Sequence, residues 1–196
     1  MIRLMCLLMV MISSAPLFAQ GPAFGQAEDT ATAAALWQQM LAQNLVGDQL
    51  KPAELYKGVQ PHGLVLENLV SEAMLGDHKG MLVVKRNYGP KGIDEATVAN
   101  NRWAALKAIT IMFSREAGYD PDNQNWFYAK YLPDGSLDKN PKGISLAGRV
   151  AKGAGPNGAD GGCIACHRAA PGDDFLYVTA LPEQQETTMP RPAWRG

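Results

Sequence analysis

Between residues 29 and 45 the apolar positions recur at helical spacing. Ala33, Leu36, Trp37, Met40 and Leu41, with Leu45 a turn further on, form one stripe. The period predicts a helix, capped by Asp29 or Thr30 and stopped at Gly47. From residue 80 the pattern changes. Residues 80–88 are rich in β-branched and aromatic side chains and end at Gly89-Pro90, which predicts a strand. Residues 107–115 alternate imperfectly, Ile109, Ile111 and Phe113 against Thr110, Met112 and Ser114, and predict a second. Residues 126–132 predict a third, closed by Pro133-Asp134-Gly135. The run Tyr119-Asp120-Pro121-Asp122-Asn123 is a turn, because Pro fixes φ while Asp and Asn side chains bond nearby backbone. The two turns bracket an antiparallel meander. Residues 52–56 read as a helical turn, 60–63 as a turn, 94–106 as a linker with helical turns, 145–152 as a short helix and 175–179 as a last short strand; residues 64–69 take no assignment. The expected fold class is therefore mainly β (α+β): an antiparallel β-sheet with a few peripheral helices.

The first 19 residues stand apart. Arg3 precedes an apolar run over residues 4–12, and Ala19 offers a small residue before Gln20. This is the pattern of a secretory signal peptide, and the run is short of the roughly 20 apolar residues that span a bilayer. It implies export to the periplasm, with no membrane span after cleavage. About 177 residues then remain, enough for one domain with a real core. The organisation expected is a signal peptide over 1–19, a flexible Gly/Pro/Ala-rich arm over 20–28, one domain over 29–181 and a Pro-containing tail over 182–196. Once Arg3 leaves, 17 basic side chains face 19 acidic ones, a balance that argues against a nucleic-acid surface or a polybasic membrane patch.

The candidate chemistry lies near the other end. Cys6 leaves with the signal peptide, so the mature chain keeps only Cys163 and Cys166, within Cys163-Ile164-Ala165-Cys166-His167. Cys-x-x-Cys-His is the attachment signature of a c-type haem. Each thiol adds across one porphyrin vinyl group, and the His is carried beneath the iron as its axial ligand. The spacing also admits a thioredoxin-like pair or half a zinc site. A zinc site lacks its second ligand pair here, and the redox pair lacks the βαβ pattern that accompanies it. The Gly-rich approach over residues 153–162 lets the chain close around a bulky group.

Beyond the haem motif, the chain resembles the cytochrome P-460/cytochrome c′-β family over residues 80–179. The likeness is carried by Val83-Val84-Lys85-Arg86-Asn87-Tyr88, Ala108-Ile109-Thr110-Ile111-Met112, Ala117-Gly118-Tyr119-Asp120-Pro121 and Asn125-Trp126-Phe127-Tyr128-Ala129-Lys130-Tyr131. It continues through Pro133-Asp134-Gly135, the haem motif itself and Asp174-Phe175-Leu176-Tyr177-Val178. The resemblance implies an antiparallel β fold, commonly a homodimer, holding one five-coordinate haem c on Cys163 and Cys166. His167 is then the axial metal ligand and the opposite face is open. In cytochrome P-460 proper a lysine is joined covalently to the porphyrin rim, a place that falls to Lys85, whereas a free Lys85 would accompany gas binding. The family's hydroxylamine oxidisers also set a carboxylate beside the distal pocket. That place falls near Thr110, which cannot act as a base at neutral pH, and Glu116 is the nearest carboxylate that could accept the proton. An apolar distal pocket would instead resemble cytochrome c′-β, which binds nitric oxide or carbon monoxide, with Met112, Phe113 and Phe127 as candidate wall residues.

Three classes of function follow. An enzyme would oxidise a small nitrogen compound such as hydroxylamine at the iron, passing electrons to a soluble partner. A binding protein would hold a diatomic ligand at the same open position. An electron carrier would have that position closed by a side chain, for which His62, His78, Met74, Met81, Met112 and Met189 are the candidates. Exposure is the ordinary fate of the two histidines and core burial that of the methionines, so the open site is the expectation.

Overall fold

The computed structural model describes residues 23–177. Helix α1 (Ala27–Ala42) is followed by strands β1 (Leu55–Lys57), β2 (Val65–Leu75) and β3 (His78–Tyr88). Two short helices, α2 (Glu95–Asn100) and α3 (Arg102–Ala105), lead into β4 (Leu106–Ser114), β5 (Trp126–Tyr131) and β6 (Ala147–Gly148), and helix α4 (Gly162–Arg168) carries the Cys-x-x-Cys-His motif. The strands form one antiparallel six-stranded sheet in sequence order, so the meander extends in both directions beyond the three strands expected. Among the described residues no helix is long and apolar enough to cross a membrane. The expected signal peptide and tail, with Cys6 and Met189, lie outside the described residues.

Strand alternation gives the sheet two unlike faces. Leu82 and Val84 on β3, Ile109, Ile111 and Phe113 on β4, and Phe127, Ala129 and Tyr131 on β5 pack in one core with Ala33, Leu36, Trp37 and Met40 of α1. The helical stripe was read correctly except at Leu41, which is 37% exposed because it lies off the buried face. Gln39 and Gln43 tie α1 to the outer edge of β2: Gln39 donates to the Met74 carbonyl and accepts from the Met74 N–H, both at 2.7 Å, and Gln43 donates to the Glu72 carbonyl at 2.9 Å. Side-chain amides thus do the work of a missing neighbouring strand.

The opposite face carries a smaller core of Val83, Met112, Trp126 and Tyr128, covered by Val150, Ile164 and Leu176 from the segment around α4. Phe113 and Phe127, expected as walls of a ligand pocket, point into the α1 core instead; their odd-numbered positions place them on that face.

Helix α1 is capped by Gln26 and ends at Ala42, rather than capped by Asp29 or Thr30 and stopped at Gly47, and so takes in the end of the arm expected to be flexible. Three further expectations fail locally. Residues 52–56 give part of β1 rather than a helical turn. Residues 145–152 give the two-residue β6 and turns rather than a helix. Residues 175–177, the described part of the expected last strand, have no regular structure. The unassigned residues 64–69 begin an eleven-residue strand, β2.

Candidate functional site

Two cross-strand rows build the floor of a cavity of about 400 Å³ between the sheet and α4. Val70, Val83, Met112 and Tyr128 lie opposite one another across β2 to β5, forming an apolar row. One pair of residues along, Asn68, Lys85, Thr110 and Lys130 form a polar row in the same register. Lys130 pairs outward with Asp138 at 2.8 Å, while Asn68, Lys85 and Thr110 line the cavity. Lys85 therefore faces the cavity because it shares β3's face with Val83. It is half-buried, and its amine is held below the ordinary lysine range by loss of water, against an opposing pull from Cys166.

The roof is the motif itself. Gly162 opens α4 at φ +52°, and a Cβ there would stand 2.8 Å from that of Ala151. Only glycine lets the chain turn into the helix so close to residues 150–151. One helical turn then sets Cys163, Cys166 and His167 on the cavity side, all three lining it. His167 is buried, and its Nδ1–H donates to the Phe175 carbonyl at 2.9 Å. A carbonyl only accepts, so the proton sits on Nδ1 and the Nε2 lone pair is free to bind a metal. Burial, with Lys85 nearby, outweighs the Phe175 bond and lowers the ring's pKa, favouring the neutral form.

The residues after the motif are built to hold that ring. Phe175 adopts φ +61°, an uncommon conformation for an aromatic residue, in the segment that presents its carbonyl to His167. Trp126 Nε1 donates to the Asp174 carbonyl at 2.9 Å, and the Leu176 N–H donates to Asp174 Oδ1 at 3.0 Å. Tyr177 donates to the Cys166 carbonyl at 2.9 Å, its ring 5.8 Å from that of His167, and Tyr128 packs at 5.6 Å.

His62 also enters the cavity, from the loop joining β1 and β2. Its ring centroid lies 6.2 Å from that of His167, with the planes 79° apart. Its Nδ1 is 3.2 Å from Thr110 Oγ1, which also accepts from Asn87 Nδ2 at 3.3 Å. Burial, reinforced by Lys85 and His167, lowers its pKa to about 3, so the ring is neutral. The position after a proline in a turn predicts exposure, and the signal missed is tertiary: a seven-residue loop folds back over the sheet. Tyr128, Asn68 and Phe175 were likewise illegible as site residues, the last because it contributes only its carbonyl.

The other candidates lie elsewhere. Glu116 does not line the cavity; β4 ends at Ser114, and the carboxylate is held at the surface by Arg115 at 2.8 Å. The proton-accepting role expected of it is therefore not supported by its place in the fold. Among the described residues no carboxylate lines the cavity. His78 bonds the Ser114 carbonyl through Nε2 at 2.8 Å, and Met74 is exposed. Met112 lines the cavity as expected.

The donor set can be tested against each reading of Cys-x-x-Cys. Among the described residues no group of three or more His, Cys, Asp or Glu side chains is arranged to hold a bare metal ion, so a zinc site gains no support there. Burial pushes the Cys163 thiol up to about 11, opposite to the depressed value of a reactive redox pair. A haem needs only two thiols, one or two axial nitrogens and an apolar slot. The cavity supplies these, and its volume falls within the range of about 300–1,000 Å³ typical of cofactor pockets. No family model, curated protein or solved structure matches the chain.

Proposed function

We propose that this chain is an exported mono-haem c-type cytochrome of the cytochrome P-460/cytochrome c′-β kind, which binds or transforms small nitrogen compounds such as hydroxylamine or nitric oxide. The observation that carries the reading is the convergence, on one cavity, of both thiols and a histidine whose Nε2 is kept free by the Phe175 carbonyl. Cys163 and Cys166 would hold the haem covalently, His167 would ligate its iron, and Val83, Met112 and Tyr128 would pack against the ring. The haem supplies the electron transfer and the ligand-binding metal. The chain orients His167, excludes water through the apolar row, and brings the Lys85 amine to the pocket, where a bond to the porphyrin rim is the pattern of cytochrome P-460 proper.

Among the described residues the lining carries no carboxylate, and His62, its pKa lowered by burial, is a weak proton acceptor, which favours ligand binding over hydroxylamine oxidation. A second reading, a six-coordinate electron carrier without substrate chemistry, is favoured by His62 in the same cavity. In either case the partners are a soluble electron-transfer protein and, by the same resemblance, a second copy of the chain.

Expression of the full chain in a host with cytochrome c maturation tests this. The expected product has the mass of the cleaved chain plus one haem and the alkaline pyridine spectrum of haem c, both lost in Cys163→Ser/Cys166→Ser. A product carrying no covalent haem overturns the reading. Peptide mapping then shows whether Lys85 is also bonded to the ring. Nitric oxide titration of the ferrous protein separates a ligand binder from a carrier.

A further inference from the structure

We infer that His62 is the second axial ligand of the haem and the gate to its distal face, so that a small ligand binds only when His62 withdraws. The inference rests on the haem reading above and concerns one residue that the reading does not assign.

The separation of the two rings carries it. Two imidazoles on opposite sides of one iron, each bonded through Nε2 at about 2.0–2.1 Å and each with its ring centre about 1.1 Å behind that nitrogen, have centroids about 6.2–6.4 Å apart. His62 and His167 are 6.2 Å apart. Planes that share the nitrogen–iron axis can take any rotation about it, and 79° is a crossed pair. Edge-to-face rings also pack over about 4.5–7 Å, so the separation admits one metal ion with its two bonds, and the placement of both rings on one cavity and their hydrogen bonds favour that arrangement.

The hydrogen bonds agree. Metal-binding histidines give their other ring nitrogen to a polar partner that fixes tautomer and orientation. His167 gives Nδ1–H to Phe175, and His62 sets Nδ1 against Thr110. Thr110 Oγ1 can accept from Nδ1 or donate to it; as an iron ligand through Nε2, His62 would carry its proton on Nδ1 and give it to Thr110. Thr110 is itself fixed by Asn87, which also donates to the Ala108 carbonyl at 3.2 Å. The threonine that stands where a catalytic carboxylate was expected thus has a different task here: it positions a ligand.

His62 is also placed to leave. It hangs from a loop rather than a strand, between Gly58 and Gly63, the latter at φ +117°. A second cavity of about 190 Å³, lined by Asn87, Lys107, Ala108 and Asp138, shares His62, Pro61 and Thr110 with the first. The ring therefore stands between the haem slot and a recess that can receive it. When the binding-competent open state is a minor fraction, apparent ligand affinity falls by that fraction, and His62 sets the fraction.

The test uses the mature holoprotein. Expected are a low-spin ferric spectrum with the near-infrared magnetic circular dichroism band of two histidine ligands, and the highly anisotropic low-spin EPR signal that crossed imidazole planes produce. His62→Ala should be high-spin, should return to low-spin on adding imidazole, and should bind carbon monoxide in the ferrous state at least about tenfold faster. A wild-type protein that is high-spin overturns the inference, as does a low-spin spectrum that survives His62→Ala. Should His62→Ala fail to accumulate, the wild-type near-infrared band decides alone. A chain with no covalent haem fails the cytochrome reading itself, whereas covalent high-spin haem fails only the assignment of His62.

Discussion

At the residue scale, Glu67 has no exposed surface and must be matched within the protein. Arg86, equally buried, donates to it at 2.9 Å, Arg102 at 2.7 Å and Tyr88 at 2.5 Å. Arg86 also donates to the carbonyls of Leu45 and Lys51, at 2.6 and 2.7 Å, tying the chain after α1 to the sheet. Removing the carboxylate leaves the guanidinium buried without its counter-charge, so Glu67→Gln should cost about 3–5 kcal/mol in urea unfolding at neutral pH. The pH dependence has a definite sign. Burial raises the Glu67 pKa, but the hydrogen bonds from Tyr88, Arg102 and Arg86 outweigh it and hold the carboxyl below its usual range. The stabilisation is therefore complete above the unfolded value, about 4.3, and is lost as pH falls through the lower folded value. Wild type and Glu67→Gln should differ fully at neutral pH and converge only below the ordinary carboxylate range; an equal gap at all pH values would show that the charge is not what Glu67 contributes. A second single-residue test concerns His167's support. Trp126→Phe removes the donor to the Asp174 carbonyl, which should cost about 0.5–1.5 kcal/mol. Amide exchange should rise at Leu176 before it rises in β5.

At the element scale, what the sequence makes legible depends on whether an element's environment is local. Strands β3, β4 and β5 carry apolar runs or alternation, and α1 carries a 3.6-residue stripe, so each could be read from its own residues. β2 could not. Glu67 and Asn68 interrupt its apolar run, and both are buried for reasons supplied by distant residues: Arg86 and Arg102 for one, the cavity for the other. β1 and β6, at three and two residues, exist only as partners of β2 and β5. The site divides along the same line. Cys163, Cys166 and His167 are one helical turn and declare themselves by spacing, and Lys85 follows from sharing Val83's face. His62 arrives by loop closure, which no local pattern encodes. The α4 turn is itself open to test. At φ +52° and with Ala151 at 2.8 Å, Gly162→Ala should cost about 1–3 kcal/mol, measured by thermal unfolding, while Gly161→Ala, whose Cβ would meet only ordinary contacts from 3.8 Å, should cost less.

At the scale of the whole molecule, the sheet separates two cores of unequal size. Among the described residues, twenty-two buried hydrophobic side chains pack on the α1 side and eight on the cavity side. Hydrophobic stabilisation grows with apolar area removed from water, so the α1 side can hold the meander together by itself. The α4 side encloses about 400 Å³ that the described side chains do not fill, and a void of that size forfeits the contacts its lining would otherwise make. If the haem proposed above occupies this cavity, the α4 layer depends on it, whereas the α1 layer does not. Hydrogen exchange on the mature protein and on Cys163→Ser/Cys166→Ser should therefore diverge by layer. Without covalent haem, amides of α4 and of residues 174–177 should exchange freely, while those of α1, β2, β3 and β4 keep most of their protection. Loss of protection across both layers would mean that the sheet does not insulate one core from the other, and that the molecule folds as a single unit around its cofactor. Retention in both would mean that the cavity-side core closes without a bound group, which would remove the main structural reason for placing a haem there.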